Sequence, residues 1–180
     1  MTLIDDILNV DSGKLKLLFG AGTSNWNSRG YLNVDIRQTK TVNVVCDLSS
    51  RLPWKDEEID EIWAESILEH IPMGENYSNS IRVLKEWNRV LKPGCLLTVK
   101  IPDLEALCRA YSTHTGTVIN YLYGGQNYPE NTHLSGFSIN GLKKIFAETN
   151  YEFIKTNKPE WMPWEIEVVA RRKHADIVTL

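Results

Sequence analysis

Apolar residues along the chain fall into two rhythms. Short runs rich in β-branched and aliphatic residues occur at Lys14–Phe19 (KLKLLF), Tyr31–Ile36 (YLNVDI), Val42–Cys46 (VNVVC), Ile59–Ala64 (IDEIWA) and Leu96–Ile101 (LLTVKI). Such runs suit strands of a sheet covered on both faces. Between the fourth and fifth, residues 78–91 place Ile81, Leu84, Trp87 and Leu91 on one helical stripe and Lys85, Glu86 and Arg89 elsewhere. Lys92-Pro93-Gly94 then stops the helix. Asp103 is placed to cap a helix reaching about Tyr111, and Ser138 to cap a last one whose Leu142, Ile145 and Phe146 follow i, i+3, i+4. Tyr151–Thr156 and Glu165–Arg171 read as a closing hairpin, with Trp161 and Trp164 in its connection as an apolar lid. Residues 1–12 suit an amphipathic lead-in helix, and residues 113–136 a long loop with at most one helical turn. Strands alternating with helices predict an α/β fold.

Length and composition narrow the class. With 180 residues and no repeat or linker, residues 1–180 are expected to form one domain. A net charge of -3 offers no global basic field, so nucleic acid is not an expected partner. Cys46, Cys95 and Cys108 are scattered, without a CxxC pair, which suits reduced thiols in a cytoplasmic setting. The opening MTLIDDILNV lacks the basic start of a signal peptide, and no apolar run nears the ~18 residues of a membrane span. Glu57, Glu58, Asp60 and Glu61 read as an acidic surface turn without metal-ligand geometry, and no metal is expected. Arg171-Arg172-Lys173 reads as a solvated strand end.

Candidate chemistry collects at strand ends. Gly20-Ala21-Gly22 closes the first strand, where ligands of open α/β sheets bind and where glycine lets backbone approach them. Asp35 closes the second strand, 15 residues after Gly20, and could accept both hydroxyl hydrogens of a ribose. Asp47 closes the third, within reach of an adenine amino group. A pyrophosphate-containing cofactor such as NAD would need GxGxxG leading into a helix. Gly22 leads instead into the polar Thr23–Gly30, so a cofactor without pyrophosphate fits better.

Four longer segments carry a family resemblance: LLFGAG with GYLNVDI, CDLSSRLPWKDEEIDEIWAESILEHI, EWNRVLKPGCLLTVKIPD and HLSGFSINGLKKIFAETNYE. They resemble the class I S-adenosylmethionine-dependent methyltransferases, in particular the type 11 group related to ubiquinone/menaquinone-biosynthesis enzymes. The resemblance implies a three-layer Rossmann-like sandwich around a seven-stranded, mostly parallel sheet of order 3-2-1-4-5-7-6, the last strand antiparallel. It implies S-adenosyl-L-methionine as cofactor, with Gly20, Ala21 and Gly22 at its methionine and sugar, and Asp35 with Ile36 at the ribose. Asp47 and Leu48 would face the adenine, and Glu65 and Ser66 would lie where the reactive methyl points. The chain departs from the family in its short segment between the first two strands and in Cys95, where a second glycine is usual. With extra N-terminal helices absent, residues 1–12, residues 113–136 or the second subunit of a homodimer would have to close the pocket.

His70, in LEHI, and His133, at the end of the long loop, are the candidate catalytic bases, since imidazole titrates near neutrality. Local packing is the competing reading for each. Tyr121, Tyr123, Gln126 and Tyr128 could line an acceptor pocket or simply pack the loop. The expected activity is methyl transfer to a small molecule or glycan intermediate. A non-catalytic cofactor-binding scaffold of the same fold and a nucleotide-dependent oxidoreductase are the alternatives, because one fold hosts many chemistries.

Overall fold

The computed structural model describes residues 13–160 and 162–174. The expected lead-in helix over 1–12 and Trp161 lie outside the described residues.

Strands β1 (Lys16–Phe19), β2 (Tyr31–Asp35), β3 (Val44–Val45), β4 (Ile59–Glu65), β5 (Leu91–Pro102), β6 (Tyr151–Asn157) and β7 (Glu165–Arg172) form one seven-stranded sheet. Its order is β3-β2-β1-β4-β5-β7-β6. The first five strands pair in parallel, and β7 runs antiparallel to both β5 and β6. Four helices accompany the sheet: α1 (Ser78–Val90), α2 (Leu104–Ala110), α3 (Thr115–Tyr123) and α4 (Ile139–Glu148). These are the expected architecture and strand order.

The central strand explains the continuous apolar runs. Leu17, Leu18 and Phe19 are all 0% exposed. Because strand side chains alternate, Leu17 and Phe19 enter the large core while Leu18 enters a smaller cluster with Ala21, Tyr31 and Val42. The large core is centred on Phe19, whose ring meets Trp87 edge-on at 5.2 Å. Helices α1 and α4 pack beside each other over it. Both expected caps form: Asp103 accepts from the amides of Glu105 and Ala106, and Ser138 from that of Gly141.

Several expectations need correction. The α1 face is broader than its apolar stripe: Ser80, Val83, Asn88 and Val90 are buried, and Ile81 only half-buried. Pairing of β5 with β4 begins at Leu91, before the Lys92-Pro93-Gly94 stop, and the register shifts between Ile59 and Glu61. Strand β3 shrinks to two residues. The stretch expected to be a loop holds the nine-residue α3, whose buried Val118 packs on Leu107 and Ala110 of α2. Trp164 joins that cluster half-buried. Arg172 is not solvated: its guanidinium reaches the Leu91 carbonyl and pairs with Glu57 at 2.8 Å. Among the described residues no helix is long and apolar enough to cross a membrane.

Candidate active site

The parallel strands β1, β2 and β4 all end at one edge of the sheet, where a cleft of about 350 Å³ opens. Gly20, Gly22, Asp35, Ile36, Asp47, Leu48 and Ser66 line it together with Arg37, Ile67 and His70. Asp35 is 6% exposed and its two oxygens organise the turn. Oδ2 accepts from the Gly22 amide at 2.7 Å and Oδ1 from the Arg37 amide at 2.9 Å. A carboxylate has about four acceptor sites, so it retains capacity for ligand hydroxyls.

Only a 3-10 turn, Asn27–Arg29, separates β1 from β2. No α-helix begins at the Gly22 turn to direct its dipole there. The opposite wall is Leu48 and Asp47. Trp87 donates to the Leu48 carbonyl at 3.0 Å, and Arg82 to that of Ser49 at 2.7 Å, so α1 holds this loop in place. Burial raises the Asp47 pKa, but hydrogen bonds from Ser50 and Ser49 outweigh it and hold the carboxyl below its ordinary value. Ile36, 47% exposed, and buried Leu48 supply apolar surface between the two acids.

Two members of the sequence set sit behind this wall. Ala21 is turned into the cluster with Leu18, Tyr31 and Val42. Glu65 pairs with Lys100 at 3.1 Å, and Lys100 pairs in turn with Glu165 at 3.0 Å. The segment 128–132 forms the outer rim, where the Arg37 guanidinium lies 4.0 Å from the Tyr128 ring centre.

His70 and His133, distant in sequence, meet at the inner end of the cleft with ring centres 4.7 Å apart. Each ring is held at Nδ1 by a backbone carbonyl: His70 by Thr132 at 3.0 Å, His133 by Tyr121 at 2.7 Å. Burial, and then the neighbouring His133, lower the His70 pKa, so its ring is neutral at physiological pH. Beneath the rings, Glu69 is 1% exposed, and burial pushes its carboxyl up to about 8. Sequence reading missed Glu69. An acid beside a histidine in a turn gives no sign of burial until the segment 133–136 folds over it.

Beyond this group lies a second cavity of about 380 Å³, lined by Tyr77, Leu104, Leu107, Tyr121, Leu122 and Phe137, with Met73, Tyr123 and Leu134 also on its walls. Glu69 and His133 face it too. The four candidate loop residues thus separate: Tyr121 and Tyr123 reach this cavity, Tyr128 the cleft rim, and exposed Gln126 donates to the Tyr123 carbonyl at 3.3 Å. The acidic turn is engaged in structural pairs, Asp60 with Lys92 at 2.7 Å and Glu61 with Lys16 at 3.1 Å. All three cysteines are free.

Sheet order, reversed last strand and cleft position define a Rossmann-like methyltransferase fold. Residues 27–99 match the family model described as a methyltransferase domain, the type 11 model. The matched segment carries the β2–β5 part of the sheet, so the methyltransferase likeness rests on both the sequence of residues 27–99 and the fold. No curated protein matches its sequence. Among solved structures it is similar to a SAM-dependent methyltransferase from Methanosarcina mazei (TM-score 0.59, 16% identity, covering 97% of this chain and 99% of that one). It is also similar to the Burkholderia thailandensis 1,6-didemethyltoxoflavin-N1-methyltransferase, solved with 1,6-didemethyltoxoflavin and S-adenosylhomocysteine (TM-score 0.61, 14% identity, 94% and 76% covered). A chain from a Haloferax volcanii complex of a methyltransferase with a methyltransferase activator is similar as well (TM-score 0.62, 12% identity, 95% and 89% covered). At these identities the likeness is one of fold.

Proposed function

We propose that the chain methylates a small molecule with an apolar or aromatic body and a nucleophilic hydroxyl. The observation that carries this reading is the pair of cavities meeting at His70, His133 and Glu69. The first has a carboxylate, apolar walls and glycines at its turn that leave room beside the backbone, which suit an adenosine. The second is walled by Tyr, Leu and Phe, which favours a hydrophobic acceptor over the glycan also considered from sequence.

In this reading Gly20, Gly22, Asp35 and Ile36 hold the sugar and methionine part of the cofactor, and Asp47 and Leu48 the adenine. Ser66 faces the reacting end, while Ala21 and Glu65 support the wall. The cofactor supplies a methyl already activated on a sulfonium, so the protein's task is to orient the acceptor and keep water out. His133 and His70 promote loss of the acceptor proton through their free Nε2 atoms. Residues 1–180 act as one methyltransferase domain in the cytoplasm, without a nucleic-acid partner. Exposed Met73, Tyr123 and Leu134, at the edge of the second cavity, form the surface that a second copy of the chain would cover in a homodimer.

The test is calorimetric titration with S-adenosylmethionine, S-adenosylhomocysteine and NAD. The adenosyl compounds should bind at micromolar concentrations and NAD should not. Asp35→Ala removes a charged acceptor and releases the Gly22 and Arg37 amides, so affinity should fall at least about tenfold. Undiminished binding by this variant would remove Asp35 from the cofactor site, and NAD binding would overturn the assignment of the cleft.

A further inference from the structure

Glu69 presents a physical problem that methyl transfer alone does not solve. It is 1% exposed, and neither carboxylate oxygen has a hydrogen-bond partner. A buried polar group left in that state costs stability, and a leucine there would avoid the cost. What the carboxylate faces is a pair of imidazoles. One ligand atom each from Glu69, His70 and His133 lies within 4.8 Å of the other two. All three residues line a further cavity of about 310 Å³ that shares Ser66 and His70 with the cleft and Tyr121 and His133 with the second cavity, which leaves room for a water or substrate atom beside them.

Neither imidazole is oriented by chance. The carbonyls of Thr132 and Tyr121 accept from Nδ1 of His70 and His133, which fixes the tautomer and leaves Nε2 of each ring with a bare lone pair. A backbone carbonyl on the far nitrogen is the usual support of a metal-bound histidine. The two segments are also tied to each other. The amides of Leu134 and Ser135 donate to the Glu69 carbonyl at 2.7 and 3.1 Å, and the Ser135 hydroxyl donates to that of Leu68 at 3.0 Å. The backbone therefore sets the spacing of all three side chains.

We propose that Glu69, His70 and His133 form a divalent-cation site between the cofactor cleft and the acceptor cavity, suited to a borderline first-row ion such as Zn²⁺ or Co²⁺. Two imidazole nitrogens and one carboxylate with an open position are the donor set such ions take, whereas Mg²⁺ prefers oxygen ligands and its own waters. Metal–ligand distances of about 2.0–2.2 Å put tetrahedral donors about 3.3 Å apart, so the 4.8 Å cluster closes by small side-chain rotations. The cation supplies the partner that the two Glu69 oxygens lack. This departs from the sequence expectation of no metal, because the three ligands converge only through the fold.

Its chemical role rests on the proposed methyl transfer. An acceptor hydroxyl on the cation loses its proton to solvent at neutral pH. Its oxygen then forms the new O–CH₃ bond as the S–CH₃ bond breaks, and the sulfonium leaves as neutral S-adenosylhomocysteine. In that state the histidines are ligands, and direct proton removal by an imidazole is replaced.

The test is titration of the chelator-treated chain with Co²⁺, read by visible absorption and calorimetry, with Mg²⁺ as control. One equivalent of Co²⁺ should bind with the d–d bands of a four- or five-coordinate site, and Mg²⁺ should give no heat. Glu69→Gln keeps size and hydrogen-bonding capacity but removes the charge, and it should lower Co²⁺ affinity at least tenfold with the melting temperature retained. His133→Asn, at a half-buried position, provides an independent second variant with the same expected loss. Absence of Co²⁺ binding, or wild-type binding by both folded variants, overturns the site. S-adenosylmethionine titrated in parallel separates the two readings. Cofactor binding without Co²⁺ binding leaves methyl transfer standing and removes the metal, and the reverse keeps the site and removes its assigned role.

Discussion

At Gly20 there is no space for a side chain. A Cβ there would lie 2.6 Å from the Glu65 carbonyl oxygen and 3.3 Å from the Ile67 Cβ, and the residue has φ of +72°. The contact is with the end of β4, so this glycine serves the closure of strand ends that creates the cleft, in addition to any ligand. At Gly22 the same Cβ would meet only the Arg37 guanidinium, at 3.7 Å, although φ is +53°. Gly20→Ala should therefore destabilise by about 3 kcal/mol, through backbone clash added to left-handed strain, and Gly22→Ala by about 1 kcal/mol. Urea unfolding of the two variants checks the order, and equal losses would show that the β4 contact is not the deciding factor. The motif GAG is visible in sequence, but this division of labour is not, because the obstructing carbonyl belongs to a residue 45 positions away. Glu69 illustrates the same limit more sharply, since its burial and its facing imidazoles come from another segment.

Helix α3 is the element that composition hides. Gly116, Thr117, Val118, Ile119 and Asn120 have weak helix propensity, and the helix has no side-chain N-cap. What stabilises it is tertiary: Val118, 1% exposed, fills the space over Leu107 and Ala110, and the Gly124 amide closes the end on the Asn120 carbonyl at 2.8 Å. Val118→Ala should cost about 2 kcal/mol locally. Hydrogen exchange should then accelerate at residues 118–124 while the amides of β4 and β5 keep their protection. A uniform acceleration would mean that α3 is part of the global cooperative unit. By contrast, α1 and α4 were legible, because each carries an apolar stripe that packs against the sheet, with a serine cap on α4 as well.

For the whole molecule, the loop bearing Asp47 and Leu48 depends on a charge network that joins it to α1. Arg89 donates to Glu86 at 2.6 Å and to the carbonyls of Trp54 and Leu52, and Glu86 accepts from the Leu52 amide at 2.8 Å. Arg89 is the main reason that the Glu86 pKa lies below its ordinary value. A carboxyl depressed in the folded state contributes stability that is complete above its unfolded pKa, about 4.3, and is lost as pH falls through the folded one. Glu86→Gln should thus be less stable than the native chain by about 1 kcal/mol at pH 7. The gap should close as pH drops below about 4. Melting curves of both proteins across pH 3–7 test this. A gap independent of pH would assign the loss to packing.

The sequence by itself determined the strands and the positions of Gly20, Gly22, Asp35, Asp47 and Leu48 at or beside their ends, and the order of the sheet was implied only by the family resemblance. Period-two and period-3.6 patterns, caps and family segments are local signals, and parallel strand ends must collect at one edge. Only the tertiary structure decided which of those residues line the cleft, that Ala21 and Glu65 stand behind it, and that α3 exists. It alone brought His133 to His70 and buried Glu69 beneath them. Those outcomes depend on burial and on contacts between separate segments, 63 positions apart for the two histidines, and no local pattern encodes them.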